Sequence, residues 1–183
     1  MFTQVCEAGQ ALGARYYVMH GTFDNRGSRL RPEGIYRLRE NMECLWEIAA
    51  AHGLEVLWEN VFWCTARTPE DIAKIRALLP EQRFVLDVKQ AWRAGAEPMD
   101  MIDAMGPQLA HVHALDHTPD RQSLALPGSG SLDWPALLRR MRHYGFDGAV
   151  MLEPYAWQCA DDGDTLACLA YLRTCIEEAD AQC

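Results

Sequence analysis

The sequence predicts an α/β protein built from five strand–helix units whose strands run parallel to one another. Two observations support this prediction. Short apolar segments alternate five times with longer segments of helical periodicity. When a helix connects two strands of one sheet, the strands run parallel and the connection is a right-handed crossover. In addition, no linker, composition shift or low-complexity tract divides the 183 residues. We therefore expect a single domain over residues 1–183.

The predicted helices are defined by apolar residues that recur every three or four positions and by residues that start or stop a helix. Thr68 is predicted to be an N-cap, followed by Pro69 in the first turn of the helix. Asp133 is predicted to start another helix as its N-cap. Glycine or proline follows several of the predicted helix ends. The predicted helices cover residues 2–12, 33–52, 68–79, 98–105, 133–144 and 165–179.

The predicted strands are short runs rich in β-branched, aromatic and other apolar residues. A polar stretch at 22–32 separates the first strand from the helix after it, and a turn-rich loop at 126–131 precedes the last strand–helix unit. The predicted strands cover residues 15–21, 54–60, 83–87, 109–116 and 149–154.

Charge and composition disfavour several classes of function. The net charge is −9, and an acidic chain repels the phosphates of nucleic acids. No run of about 18 apolar residues occurs, so we expect no membrane-spanning helix, and the first residues lack the pattern of a secretory signal. The seven cysteines form neither a C-x-x-C pair nor a disulfide framework. We therefore expect a cytoplasmic protein.

A potential ligand or acid–base residue stands at or near the C-terminal end of every predicted strand. Ligands bind outside these ends in parallel sheets and barrels, so five such residues in succession favour a binding site over isolated caps and loop anchors. Carboxylates and imidazoles suit Mn²⁺, Zn²⁺, Co²⁺, Mg²⁺ or Fe²⁺. The five residues are His20, Glu59, Asp87, His113 and Glu153.

Six sequence blocks, which follow one another in the same order, resemble the sugar phosphate isomerase/epimerase family of the xylose isomerase-like TIM-barrel superfamily. These blocks are residues 17–21, 57–60, 86–91, 111–116, 126–130 and 144–154. The resemblance covers nearly the whole chain. It implies a partial (β/α)8 barrel in which the five strands correspond to strands four to eight of the family and the N-terminal three units are missing.

The resemblance also implies a divalent metal held by Glu59, Asp87, His113 and Glu153. It implies that Glu59 and Glu153 act as acid and base on opposite faces of a sugar or sugar phosphate. A metal that binds a carbonyl and its neighbouring hydroxyl acidifies the C–H between them and stabilises the enediolate. One carboxylate then removes the proton and the other returns one. We expect a metal-dependent sugar isomerase or epimerase.

Four further residues are expected to contact the substrate. Gln90 stands where the family often has a substrate-binding histidine; it can hydrogen-bond a sugar hydroxyl but cannot carry a proton. His20 matches a position that ligates metal only in the endonuclease IV branch, so substrate contact and site packing are both open. Arg121 stands where some epimerases place a substrate-binding arginine. Asn60, directly after Glu59, completes the set.

Three secondary features of the sequence allow more than one interpretation. The loop at 127–130 either binds a phosphate through its backbone N–H groups or is a tight turn before the Asp133 cap. His111 points to the same face as His113 and is expected to lie deeper. Trp58 alternates with Glu59 and is expected to pack outward against helices.

Chain length argues against a complete barrel. A full eight-stranded barrel takes about 250 residues, whereas this chain has 183. An open five-stranded sheet exposes two edges and an apolar inner face. We therefore expect a chain that is truncated relative to the family, or one that self-associates to cover the open barrel.

Two alternatives to an active isomerase follow from the same observations. The short chain is compatible with a catalytically impaired barrel fragment or binding module that keeps the site residues without turning over a sugar. An endonuclease IV-like nuclease would need several metal ions and a basic surface, and both the acidic charge and Gln90 oppose it.

Overall fold

A single sheet of five parallel strands forms the centre of the protein, in the order β1-β2-β3-β4-β7. The computed structural model describes residues 1–21, 32–159 and 161–181, without the side chains of 32–37; nearly all of the predicted polar stretch at 22–32 lies outside the described residues. The strands are β1 (Tyr16–Met19), β2 (Glu55–Glu59), β3 (Arg83–Asp87), β4 (Leu109–Ala114), β5 (Asp116–His117), β6 (Leu124–Ala125) and β7 (Ala149–Leu152).

Helices connect the strands of the sheet, as the alternation of the sequence predicted. They are α1 (Phe2–Ala11), α2 (Pro32–Ala51), α3 (Pro69–Leu78), α4 (Val88–Arg93), α5 (Pro98–Met105), α6 (Trp134–His143) and α7 (Asp162–Asp180). The predicted start of α3 is confirmed, because the Thr68 hydroxyl accepts a hydrogen bond from the N–H of Asp71. Several short elements were not predicted, among them the six-residue α4 and the two strands of the antiparallel pair β5–β6, because they are too short to show periodicity.

The register of the sheet brings the C-terminal ends of the central strands to one edge. Asp87 of β3 is the register partner of His113 of β4, and His113 is the partner of Met151 of β7. Glu59 of β2 is paired with Val85, two residues before Asp87. The candidate residues of neighbouring strands are therefore within side-chain reach of one another.

The two faces of the sheet bury different sets of side chains. Alternate residues such as Val56, Trp58 and Leu86 belong to the large core between sheet and helices. On the other face Leu57, Val85 and Ala110 form a small apolar cluster. The outward packing predicted for Trp58 is confirmed, and Glu59 consequently points to the inner face, where the interior of a barrel lies.

The sheet does not close on itself in the described part of the chain. β1 and β7 are its end strands, and each pairs with one neighbour. The predicted class, a partial TIM-type barrel of five parallel strands, is therefore confirmed. At the open ends Tyr16 and Val18 are only partly buried and Met151 is 43% exposed. No helix among the described residues is long and apolar enough to cross a membrane.

Candidate metal centre

Three buried side chains from neighbouring strands meet at the C-terminal edge of the sheet. Glu59 ends β2, Asp87 ends β3 and His113 is the penultimate residue of β4. One ligand atom of each lies within 4.8 Å of those of the other two. Such a distance allows one cation to contact all three residues. These are three of the four residues predicted to hold a metal.

Glu153, the fourth predicted ligand, stands at the rim of this group. It directly follows β7, and its backbone N–H donates a hydrogen bond of 3.1 Å to the carbonyl of Ala114. Its Oε2 atom lies 3.5 Å from Nδ1 of His113, and its side chain is 43% exposed. The structure thus brings all four predicted residues together, three in the interior and Glu153 at the solvent boundary.

The Nδ1 atom of His113 is surrounded by carboxylate oxygens. It lies 3.3 Å from Glu59, 3.5 Å from Glu153 and 4.0 Å from Asp87. None of these approaches has hydrogen-bond geometry, so within the described residues this buried nitrogen has no hydrogen-bond partner. An unpaired ring nitrogen among oxygen donors suits a divalent cation, which takes imidazole and carboxylate ligands together. The residues present therefore fit a metal.

The carboxylates of the group differ in their proton affinity. Burial raises the pKa of Asp87 to about 7; the charges of Glu59 and Glu153 add to the rise, and the N–H of Gln90 and the Lys89 ammonium oppose it. Burial also acts to raise the pKa of Glu59, but the nearby His113 ring, Asp87 and His20 outweigh it and hold that pKa below its usual value.

The two histidines of β4 face the same side of the sheet, as predicted. Their rings meet edge to face with centroids 5.3 Å apart. Burial lowers the pKa of His113, but the carboxylates of Glu59, Glu153 and Asp87 outweigh that effect and raise it. Burial and the neighbouring His113 lower the pKa of His111 and outweigh the opposing charge of Glu59.

His20 and Gln90, both predicted to contact a substrate, border the group. Nε2 of His20 lies 3.1 Å from Oε2 of Glu59, and the His20 side chain is half exposed. Oε1 of Gln90 accepts a hydrogen bond of 3.4 Å from the N–H of Phe62. The backbone N–H of Gln90 donates a hydrogen bond of 2.8 Å to Oδ1 of Asp87, the N-cap of α4. Gln90 therefore ties the loop after β2 to the start of α4.

Asn60 does not fit the predicted substrate contact. Its side chain is fully buried, and both of its polar ends are bound to the main chain of Asp87. The physical reason is that Asn60 lies past the end of β2, where the amide reaches sideways to the neighbouring strand instead of outward. It acts on the site by fixing the end of β3.

Arg121 lies at the tip of the loop between β5 and β6, with a positive φ of 57°. Its guanidinium pairs with Glu97 at 2.7 Å, and both side chains are about half exposed. No described contact connects Arg121 to Glu59, Asp87, His113 or Glu153. The predicted substrate contact of Arg121 remains a prediction.

The loop at 127–130 contains a turn, in which the N–H of Ser129 donates to the carbonyl of Leu126 at 2.9 Å, and it leads into residues that bind the buried carboxylate of Asp116. Oδ1 of Asp116 accepts hydrogen bonds from the N–H groups of His117, Ser131 and Leu132, and Oδ2 accepts one from the Trp134 indole. A Cβ atom on Gly130 would come within 2.1 Å of the Asp116 carboxyl carbon. These contacts favour the turn interpretation over a phosphate site.

Lys89 belongs to the group but was not predicted. Its Nζ atom lies 3.3 Å from Oε2 of Glu153 and 3.6 Å from Oδ2 of Asp87, and only 7% of the side chain is exposed. Burial lowers its pKa, but the attraction of the two carboxylates outweighs this and raises it. In the sequence, Lys89 is visible within the block 86–91 that carries the family resemblance. The direction of its side chain depends on helix α4, which was not predicted.

Exposed aromatic residues flank the group on the loops that follow β2 and β7. Phe62 and Trp63 lie on the first loop, and Tyr155 and Trp157 lie on the second. The Tyr155 and Trp157 rings stack with centroids 5.8 Å apart and planes at 8°. The buried polar group is thus bordered by partly exposed rings.

Comparison with known proteins agrees with this arrangement. A family model described as the xylose isomerase-like TIM barrel matches residues 1–175. The chain belongs to this family. Among solved structures, that of a D-tagatose 3-epimerase-like protein superposes with a TM-score of 0.75 at 18% identity; the match covers 98% of this chain and 68% of that one.

Curated relatives of this xylose isomerase-like chain are named as 3-epimerases and as inosose dehydratases. It is 26% identical over 125 residues to fructoselysine 3-epimerase of Escherichia coli O157:H7, covering 64% of this chain and 44% of the relative. It is 24% identical over 138 residues to inosose dehydratase of Klebsiella pneumoniae, covering 64% and 46%. The matches therefore span less than half the length of these relatives.

Proposed function

We propose that the protein is a divalent-metal-dependent isomerase or epimerase of a sugar, sugar phosphate or related polyhydroxy ketone. The observation that carries the proposal is the meeting of Glu59, Asp87 and His113 at one strand edge, with ligand atoms within 4.8 Å. Glu153 adds a carboxylate 3.5 Å from the unpaired ring nitrogen. The epimerase and dehydratase relatives support the same class of substrate.

In this proposal Glu59, Asp87, His113 and Glu153 hold the metal. Mn²⁺, Zn²⁺, Co²⁺, Mg²⁺ and Fe²⁺ are all compatible with three carboxylates and one imidazole. A divalent ion bound there would acidify the C–H beside a chelated carbonyl. The protein supplies the ligand atoms from the ends of four neighbouring strands, Glu153 directly after β7, so the site depends on the sheet register.

Glu59 and Glu153 are proposed as the proton-transferring pair. Glu59 is buried, and the His20 and His113 rings nearby help to hold the pKa of its carboxyl below its usual value. Its carboxylate form can accept a proton from a carbon acid. Glu153 is partly exposed and can exchange its proton with water. One carboxylate removes the proton from the substrate carbon and the other delivers one, which inverts that carbon or moves the proton to the adjacent one.

The surroundings of the pair favour a polyhydroxy substrate. His20 is half exposed beside Glu59 and can hydrogen-bond a hydroxyl. Phe62, Trp63, Tyr155 and Trp157 are exposed on the two bordering loops, and aromatic rings provide apolar walls that stack against the C–H face of a sugar.

The test combines metal analysis with solvent hydrogen exchange. The purified protein, loaded with Mn²⁺, is incubated in D2O with D-fructose, D-psicose, D-tagatose and inosose, and deuterium in the recovered compounds is measured by NMR. We expect deuterium at the carbon next to the carbonyl of at least one compound, together with its epimer or isomer. Glu153→Gln should abolish exchange because it removes the charge and keeps the shape.

Glu55→Gln is the matched control, since Glu55 lies at the opposite end of β2 and pairs with Arg83. It should leave exchange unchanged. Exchange that persists in Glu153→Gln would contradict the two-carboxylate scheme. Mn²⁺ binding without any exchange would favour the binding-module alternative, and loss of water from inosose without epimerisation would assign dehydration in place of epimerisation.

A further inference from the structure

A buried lysine contacts two of the proposed metal ligands and has no part in the proton transfer described above. The Nζ atom of Lys89 lies 3.3 Å from Oε2 of Glu153 and 3.6 Å from Oδ2 of Asp87. It also lies 5.0 Å from the centre of the Tyr155 ring, within the range of a cation–π contact. The end of β3 and the loop after β7 therefore surround one ammonium group.

The local fold explains why Lys89 points inward. Asp87 caps α4 by accepting a hydrogen bond of 2.8 Å from the N–H of Gln90, so the helix begins directly at the end of β3. Lys89 is its second residue. At this position the side chain lies beside the strand ends, and only 7% of it is exposed to solvent. A buried cation is costly unless it is paired, and here two carboxylates pair with it.

The choice of lysine is also unusual for this chain. Its sequence contains two lysines, Lys74 and Lys89, among 17 basic residues. Lys74 is exposed on α3, so Lys89 is the lysine placed in the interior. An ammonium is compact and donates in three directions, which suits a position between Asp87, Glu153 and the Tyr155 ring.

One negative charge of the group remains unbalanced when a divalent ion is bound. Glu59, Asp87 and Glu153 together carry three negative charges when ionised, and a divalent ion balances two of them. We propose that Lys89 is a positioning residue whose ammonium balances the third charge and holds the Glu153 carboxylate toward His113. This inference rests on the proposed function, because it takes Glu153 as a working member of the site.

Glu153 needs such a partner more than Glu59 does. Glu59 is buried between His20 and His113, whereas Glu153 is 43% exposed and follows the end strand β7. An exposed carboxylate on a loop samples several rotamers. The ion pair with Lys89 restricts that freedom and links the loop after β7 to the start of α4.

The first experiment uses ¹⁵N-lysine NMR on the folded protein, because its two lysines give two side-chain signals. The Lys89 ammonium signal should shift on addition of Zn²⁺ and should shift again in Glu153→Gln, while the Lys74 signal stays in place. An unchanged Lys89 signal in both experiments would overturn the proposal. Neither measurement requires catalytic activity, so it remains decisive if the proposed reaction is absent.

The second experiment measures Mn²⁺ binding by calorimetry at constant pH. Lys89→Met removes a positive charge beside the ion and should tighten Mn²⁺ binding about tenfold, since like charges repel strongly in a partly buried site. Lys89→Arg keeps the charge and should stay within about twofold. Lys74→Met is the exposed control and should bind as the unaltered protein does.

Unchanged or weaker Mn²⁺ binding by a folded Lys89→Met protein would overturn the role as counter-charge. On a confirmed substrate, Lys89→Met should lower kcat more than tenfold with little change in KM, and Lys89→Arg should recover part of it. A loss of the same size in both variants would indicate a purely structural role. If Lys89→Met does not fold, the NMR comparison with Glu153→Gln decides the question.

Discussion

Asn60 is joined to the main chain of Asp87 by two hydrogen bonds. Its amide nitrogen donates to the Asp87 carbonyl at 3.0 Å, and its amide oxygen accepts from the Asp87 N–H at 2.8 Å. This pair joins the ends of β2 and β3 where parallel-strand hydrogen bonding stops. The two hydrogen bonds therefore set the separation between Glu59, which directly precedes Asn60, and Asp87, to which Asn60 is bound.

Replacement of Asn60 by Ala should destabilise the protein by about 2–4 kcal/mol. The change leaves two buried main-chain groups without partners, and each such group costs about 1–3 kcal/mol. It should also weaken Mn²⁺ binding, because the end of β3 loses its fixed position. Urea unfolding and calorimetry measure the two effects. Asn41→Ala, an exposed change on α2, is the control, and equal losses in both variants would contradict this role for Asn60.

A bound divalent ion should stabilise the folded chain. At a free Mn²⁺ concentration of 100 times Kd, the free energy of unfolding should rise by about 2.7 kcal/mol, and EDTA should reverse the gain. His113→Ala should remove this increment because it removes the only nitrogen ligand of the proposed set. His52→Ala, directly after α2 and at the opposite end of β2 from Glu59, should retain it. An increment of equal size in His113→Ala would place the ion elsewhere.

The ion pair between α5 and α6 should make a pH-dependent contribution to stability. Asp103 accepts two hydrogen bonds from Arg140, at 2.5 and 2.9 Å, and this pairing holds the Asp103 pKa below its usual 3.8. A carboxyl with a lowered folded-state pKa stabilises the protein above pH 3.8, and this stabilisation is lost as the pH falls through the lower folded value.

Asp103→Asn should therefore cost about 0.5 kcal/mol at pH 7, a small value because both side chains are 39% exposed and solvent screens the pair. The difference from the unaltered protein should shrink as the pH falls below 3.8 and vanish once Asp103 is protonated in the folded state as well, because both proteins then carry no charge at position 103. Urea unfolding across this range measures it, with the exposed Asp147→Asn as control. A difference that did not change with pH would rule out the ion pair as its cause.

Self-association is the expected way of covering the open sheet. Met151 lies on the inner face of the end strand β7, in register with His113, and is 43% exposed. Sedimentation velocity should give a mass above the 20.7 kDa of one chain, and Met151→Glu should shift it toward the monomer. Leu166→Glu, at a 66% exposed position of α7, is the control. A monodisperse 20.7 kDa species in the unaltered protein would refute the prediction.

Most of the fold could be predicted from the sequence because long elements repeat a clear period. The helices α1, α2, α3 and α5 end within a residue or two of their predicted bounds. The elements that the sequence did not predict are short: α4 has six residues, and β5 and β6 have two each. Such elements are created by individual hydrogen bonds, such as the cap that Asp87 gives to α4, and not by a repeated pattern.

The sequence by itself determined the parallel α/β order and placed five polar residues at strand ends, because a period of two and a period of 3.6 are visible without coordinates. Only the tertiary structure decided which neighbours those residues have. It brought Lys89 between Asp87 and Glu153, and it turned Asn60 onto the main chain of β3 instead of toward a substrate. The reason is physical: past the end of a strand the alternation of faces stops, and side-chain direction depends on contacts between elements distant in sequence.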